Sequence, residues 1–218
     1  MRLPPARATY AILGVTVAVW LLVTLLGLDD YASFAGGFIP ARLSAPALDA
    51  ELRAAAPALW LMPAWLTPLS ATLLHGGLLH IAFNMAIFAF CGRFVEAALG
   101  PRLSVLLYGI GAYAAAFAHW LFEPHSVVPM IGASGAISAV LGAYALLYGQ
   151  QRTFSADPRL SKAINVAWLA AGWIGLQLLL GVALRGEAFS VAIYAHIGGF
   201  LAGLALARPL LLWRHRKA

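Results

Sequence analysis

Long apolar runs divided by short basic or polar breaks dominate the chain. Six stretches of about twenty residues contain no Asp, Glu, Lys or Arg. They lie roughly at Tyr10 to Leu28, Leu69 to Gly92, Leu103 to Phe122, Val127 to Gly149, Ala163 to Leu184 and Ala188 to Ala207. A helix rises ~1.5 Å per residue, so ~20 apolar residues match the hydrocarbon thickness of a bilayer. The runs are uniformly apolar and rich in Ala and Leu, whereas a membrane β-barrel requires shorter segments of alternating polarity. The pattern predicts an all-α membrane protein, a single domain over residues 1–218 with six transmembrane helices and a long first outer loop. The first run lacks a small-residue cleavage site and is followed by five more, so it is expected to be a retained anchor.

The long loop spans about forty residues between Asp29 and Pro68, too many for a simple turn. From Ala41 to Leu61 its apolar residues recur at helical spacing, interrupted by Asp49, Glu51 and Arg53, and Trp60, Met62, Pro63 and Trp65 follow. An amphipathic helix lying in the outer interface, with tryptophans at headgroup depth, fits this stretch. The link between the fifth and sixth spans is short, around Arg185 to Glu187.

Composition agrees with lipid as the solvent: 62% of the 218 residues are hydrophobic and 10% charged, and the mean hydropathy is +0.86. A water-soluble globule needs more polar surface than that. The basic residues set the orientation. With the N-terminus inside, Arg2, Arg7, Arg93, Arg102, Arg152, Arg159, Lys162, Arg208, Arg214, Arg216 and Lys217 are cytoplasmic, and only Arg42, Arg53 and Arg185 are outside. The positive-inside rule then places both termini in the cytoplasm of a cell, or inner, membrane. The net charge of +6 reports this topology and contact with anionic lipid; no nucleic acid is expected as a partner. Cys91 is the only cysteine, which excludes an intramolecular disulfide and suits a small packing residue.

Polar side chains inside hydrocarbon are costly, so each one present calls for a reason. They are His75, His80 and Asn84 on the second span, His119 on the third, Ser134 on the fourth, Asn165 and Gln177 on the fifth, and His196 on the sixth. His80 and Asn84, four apart, share a helix face and either act on one group or form a structural interhelical pair. Ser134 follows Pro129 and Gly132, which disfavour regular helix, and precedes an Ala/Leu/Val run. It therefore sits at a helix N-terminus, where free N–H groups and the positive dipole end suit a nucleophile that creates an oxyanion. A plain N-cap among small packing residues fits the same pattern.

His196 lies on a helix with Ala195, Gly199, Gly203 and Ala207 at four-residue spacing, and the fourth span offers Gly135, Ala139 and Ala143 in a similar stripe. Docking these small faces brings Ser134 and His196 together. Both lie roughly 10 Å below the outer surface when counted at ~1.5 Å per residue.

No Asp or Glu lies inside any span, which removes an aspartyl dyad, a His-Glu-x-x-His zinc site and a carboxylate-driven transporter. A Ser134–His196 dyad remains, with the imidazole as general base and then general acid. The oxyanion would draw on the Ser134 backbone N–H, beside Gly132, on the Asn84 amide and on His80. His75 and His119 are expected nearer the interface, snorkelling; Asn165 and Gln177 receive no role. No metal or other cofactor is expected, although haem ligation by His75, His80, His119 or His196 is a competing use of these side chains.

At these residues the sequence resembles the rhomboid family of intramembrane serine proteases. The resemblance rests on His75-Gly-Gly-Leu-Leu-His80-Ile-Ala-Phe-Asn84, on Gly132-Ala-Ser134-Gly135, on Ala195-His196 followed by Gly199 and Gly203, and on Glu96 twelve residues past Asn84. It implies a six-helix rhomboid-like bundle with Ser134 as nucleophile, His196 as base, and His80 and Asn84 at the oxyanion site. It also implies transmembrane-helix substrates cut near their outer ends after a small residue, with the long loop and fifth span moving to admit them; it sets no oligomeric state. A catalytically silent relative that binds transmembrane helices is the alternative. Two departures stand out. Neither Trp60 nor Trp65 is followed by Arg, and Ser138 replaces an aromatic that some members place four residues after the nucleophile, leaving Tyr194 or Tyr144 as candidates to orient the His196 ring.

Overall fold

A computed structural model describes residues 5–45, 47–55, 60–149, 153–183 and 192–216, without the side chains of 176–183. The link at Arg185 to Glu187, the residues from Ala188 that open the expected sixth span, the basic residues Arg2, Arg152 and Lys217, and the Gln177 side chain lie outside the described residues. Ten α-helices are described: α1 Arg7–Leu25, α2 Asp29–Gly36, α3 Ala41–Ser44, α4 Leu48–Ala55, α5 Thr67–Ser70, α6 Leu78–Leu99, α7 Pro101–Phe122, α8 Ser134–Tyr148, α9 Pro158–Ala183 and α10 Ile193–Arg214. Among the described residues, α1, α6, α7 and α10 are long and apolar enough to cross a membrane, and α8 is a shorter apolar helix. Lipid-facing leucines and phenylalanines cover the outside, among them Leu79, Phe83, Phe90 and Phe117, all exposed.

α8 is the central post. Ala136, Ala139, Val140 and Ala143 on it are essentially inaccessible, packed among side chains of α6, α7 and α10. Small residues make this possible. A Cβ on Gly199 would lie 2.1 Å from the carbonyl oxygen of Gly135, and one on Gly203 would lie 2.0 Å from that of Ala139. On the other flank of α8, a Cβ at Gly135 would meet Ala115 of α7 at 2.5 Å. The α8 and α10 backbones touch because nothing larger than hydrogen stands between them at Gly199 and Gly203.

Several boundaries differ from those expected. The second span was expected from Leu69 to Gly92, but the helix runs from Leu78 to Leu99. Upstream, His75-Gly76-Gly77 breaks the chain, with Gly77 at φ +139°, and residues 64–73 form short helical turns instead. Downstream, Arg93 and Glu96 end the apolar run without ending the helix, because each finds a partner. The Glu96 carboxylate accepts from the backbone N–H groups of Ala8 at 3.0 Å and Thr9 at 2.8 Å, and from the Thr9 hydroxyl at 2.7 Å. It thus satisfies donors that every helix N-terminus leaves free, capping α1 from another helix. Arg93 donates to the Ala89 carbonyl at 2.9 Å and to the Tyr10 hydroxyl. Helix α6 stops at Gly100, φ +79°, and Pro101 opens α7 at its first position.

The fourth span was expected from Val127, but the helix begins at Ser134. Residues 126–133 run irregularly, and other protein segments satisfy several of their backbone groups. Ala41 N–H donates to the Ser126 carbonyl at 3.0 Å, and Phe38 and Met130 exchange backbone hydrogen bonds of 3.0 and 2.8 Å. The stretch expected as an amphipathic helix over 41–61 shows, among its described residues, two short helices, α3 and α4, folded on Arg42. That side chain is buried, donates to both Asp49 carboxylate oxygens at 2.6 and 3.0 Å and to the Met62 carbonyl at 2.7 Å. Pro46 disfavours helix at the residue before it, and an ion pair, which hydrophobic periodicity does not register, joins α3 to α4.

Candidate active site

Ser134 is the first residue of α8, so the N–H groups of its first turn have no intrahelical acceptor. The approach to it is fixed from below and behind. Gly132 takes φ +120°, its N–H donates to the Ala71 carbonyl at 2.9 Å, and the Ala133 N–H points to His75 Nε2 at 3.4 Å. Ser138 donates its hydroxyl to the Ser134 carbonyl at 2.8 Å.

Across the seam, His196 Nε2 stands 2.7 Å from Ser134 Oγ. That is hydrogen-bonding distance for transfer of the serine proton to imidazole. Ala195 beside it is buried, and Gly199, one turn on, holds α10 against the Gly135 carbonyl. The contact between the helices and the contact between the Ser134 and His196 side chains are the same feature seen at backbone and side-chain level.

His80 lies on the other side of Ser134. The Gly76 N–H donates to its Nδ1 at 3.3 Å, so the neutral ring carries its proton on Nε2. A Cβ on Gly132 would lie 2.9 Å from that Nε2 and 3.7 Å from Ser134 Oγ. The Nε2–H therefore borders the side-chain-free face of Gly132 beside the hydroxyl, where a donor can meet a developing oxyanion. Asn84 is buried and turns one amide hydrogen to the His80 carbonyl at 2.9 Å; the second amide hydrogen remains for another acceptor.

The remaining polar residues fall elsewhere than expected. His75 and His119 do not snorkel to an interface: both are buried, at 4% and 7% exposure. His75 packs edge-on against His80 with ring centroids 4.9 Å apart, behind the site. His119 shares a helix face with Ala115, which touches Gly135. Tyr194 stacks on Phe122 at 4.4 Å, and Tyr144 belongs to a cluster with Phe90, Phe94 and Tyr148. Asn165 donates to the Ser161 carbonyl at 2.9 Å. One residue escaped sequence reasoning: Trp173 on α9 donates its indole N–H to the His196 carbonyl at 3.3 Å and stacks on Phe200 at 5.1 Å. Nothing in its apolar surroundings distinguishes it from six other tryptophans. Among the described residues, no group of three or more His, Cys, Asp or Glu is arranged to hold a metal ion.

A family model described as the Rhomboid domain matches residues 63–213, the interval that holds every one of these groups. The chain belongs to the rhomboid family. Among its relatives is a Rhomboid protease GlpG from Pectobacterium atrosepticum, 29% identical over 202 residues, covering 91% of this chain and 61% of that protein. A protein of the same name from Yersinia pestis is 33% identical over 141 residues, 63% of this chain and 45% of the relative. RHOMBOID-like protein 4 of Arabidopsis thaliana is 30% identical over 147 residues, 67% of this chain and 34% of the relative. This rhomboid chain thus spans less than two thirds of the length of each. Family and apolar helices together make it a multi-pass membrane protein.

Proposed function

We propose that this rhomboid is an intramembrane serine endopeptidase that cuts transmembrane helices near their outer ends. The observation that carries the reading is the 2.7 Å contact between Ser134 Oγ and His196 Nε2 at the N-terminus of a buried helix. In this mechanism His196 takes the hydroxyl proton as Ser134 Oγ attacks the scissile carbonyl. The oxyanion accepts from the Ser134 backbone N–H, from His80 Nε2–H and from the second amide hydrogen of Asn84, with Gly132 leaving room for it. Collapse of the tetrahedral intermediate breaks the C–N bond, and imidazolium gives its proton to the departing amine. Water, deprotonated by His196, then hydrolyses the acyl-serine. The Ser138 and Trp173 hydrogen bonds hold the carbonyls of the two reactive residues, a support with no carboxylate in it.

A substrate helix hides its carbonyls in its own hydrogen bonds and must unwind before it reacts. Six crossings are assigned, α8 and α9 completing the set with α1, α6, α7 and α10, and both termini lie in the cytoplasm of an inner membrane. The preferred residue before the cut is small, in keeping with the family.

The test is cleavage of a single-pass model substrate by the purified protein in liposomes, comparing wild type with Ser134→Ala and His196→Ala. Wild type is expected to cut, with loss of about a thousandfold or more in each variant while both remain folded. Binding without cleavage by wild type would replace this reading with that of a silent helix-binding relative.

A further inference from the structure

His75, packed directly behind His80, is a histidine that the proposed chemistry leaves without a task. Its Nε2 faces the Ala133 N–H and so presents a lone pair, which in a neutral ring places the proton on Nδ1. That Nδ1 is buried without a partner among the described residues. The Leu73 carbonyl approaches the ring without reaching hydrogen-bond geometry at Nδ1.

A second orphan lies close by. Trp20, near the outer end of α1, also buries its Nε1–H without a partner among the described residues. His75 and Trp20 line one small cavity, together with Asp29 and Ser33 of α2 and Leu74. The cavity measures about 10 Å3, the smallest that admits one water. Both side chains line it and both carry a buried donor with no partner among the described residues; unmade hydrogen bonds of buried donors cost on the order of 1–3 kcal/mol each. Asp29 and Ser33 supply acceptors; one Asp29 oxygen already accepts from the Thr24 hydroxyl at 2.9 Å, and the other is free to accept.

We propose that this cavity is the seat of one ordered water, which accepts from Trp20 Nε1–H and His75 Nδ1–H and donates to Asp29 and Ser33. Four partners are what a buried water takes at most. The water ties the outer ends of α1 and α2 to the ring that holds the Ala133 N–H, one residue before Ser134. His75 is thereby a positioning residue for the turn that carries the nucleophile; this last step rests on the peptidase reading, whereas the water site does not.

The decisive measurement is nitrogen NMR of the imidazoles in the full chain in lipid, with the His75 signal identified by its loss in His75→Gln. Wild type is expected to show His75 protonated at Nδ1 and bare at Nε2, and the Trp20 indole proton to show magnetisation transfer from a long-lived water. Trp20→Phe, which keeps an aromatic ring and deletes the donor, is expected to shift the His75 Nδ1–H signal. A proton on Nε2, an indole proton bonded directly to Asp29 or Ser33, or a His75 signal indifferent to Trp20→Phe because Leu73 accepts it, would each overturn the site. For the positioning role, His75→Leu is expected to lower kcat about tenfold with KM unchanged, and His75→Gln, whose amide oxygen can accept from Ala133, to recover most of it. Equal loss in both variants overturns that role. An inactive wild type with the expected tautomer would sink the peptidase reading and leave the water site standing.

Discussion

Helix α10 meets two of its neighbours, α8 and α9, in opposite ways. Against α8 it presents bare backbone, with Gly199 and Gly203 so close to the carbonyls of Gly135 and Ala139 that a methyl group cannot enter. Against α9 it presents, among the described residues, a large aromatic, Phe200, stacked on Trp173, whose indole N–H reaches the His196 carbonyl at 3.3 Å. The first contact has one arrangement, because backbone cannot swing aside. The second is made of rotatable side chains, worth about 0.5–1.5 kcal/mol for the stack beyond its burial, and can be unmade without moving Ser134 from His196. The proposed dyad is built on the contact that cannot give, and α9, which the proposed mechanism lets move to admit substrate, is held by the one that can.

The strongest way to break this contrast is to put a side chain into the seam. In Gly199→Val the Cβ would lie 2.1 Å from the Gly135 carbonyl, so the helices must separate. Overpacking of this kind costs about 1–3 kcal/mol, and a shift near 1 Å in a reacting pair costs about a hundredfold in rate. Cleavage and labelling of Ser134 by a fluorophosphonate should both fall by about that factor or more. Retention of full labelling would show that the seam does not set the dyad.

Next in size is a contact of a third kind, made by charge. Glu96 accepts three hydrogen bonds from the start of α1, and in Glu96→Gln an amide NH2 would face donors where an oxygen now stands. A loss of about 2 kcal/mol in stability is expected, read from the unfolding midpoint in detergent, and Thr9→Val should add little to it because both remove the same bond. Additive losses would mean that the carboxylate acts otherwise than as a cap. Labelling of Ser134 at temperatures where the variant remains folded should stay near wild type, since α1 lies outside the seam.

The gentler contact is probed by Trp173→Phe, which keeps an aromatic face on Phe200 and deletes the N–H to His196. About 1 kcal/mol of stability should go and fluorophosphonate labelling should stay within a few-fold of wild type. If labelling collapsed as in Gly199→Val, α9 would be as much a part of the rigid frame as α8.

The same contrast explains what the sequence makes legible. Small residues at four-residue spacing, Gly135 and Ala139 on one helix and Gly199 and Gly203 on another, are visible as a pattern because only their size matters. The Trp173 contact is invisible, since an indole within an apolar run carries no mark of which carbonyl it meets. Apolar run length locates helices but misplaces their ends where a charge is satisfied from afar, as Glu96 is by α1, or where glycine breaks an apolar stretch, as at Gly77. Likewise, His75 reads as a surface group when only its distance from the end of the run is counted. Its burial follows from the Ala133 N–H, a partner 58 residues away in sequence.

The smallest effect concerns the segment of α3 and α4, where Arg42 is buried and Asp49 is partly open to water. The Arg42 hydrogen bond, against some opposing burial, holds the Asp49 carboxyl below its usual range, with charge attraction from Arg42 and Arg53 adding to the effect. A depressed carboxylate contributes stability that is complete above its unfolded value, about 4, and is lost as pH falls through the lower folded value. The loop should therefore hold at neutral pH and loosen only in acid below about pH 4. Limited proteolysis between α3 and α5 as a function of pH should show cleavage rising there, and Asp49→Asn should be cut readily at every pH because it leaves a buried guanidinium without its counter-charge. Ser134 labelling should be indifferent to both changes, because the seam contains neither residue. A wild-type loop that loosened at neutral pH, or a dyad that failed with it, would place the loop in the rigid frame and not among the parts that move.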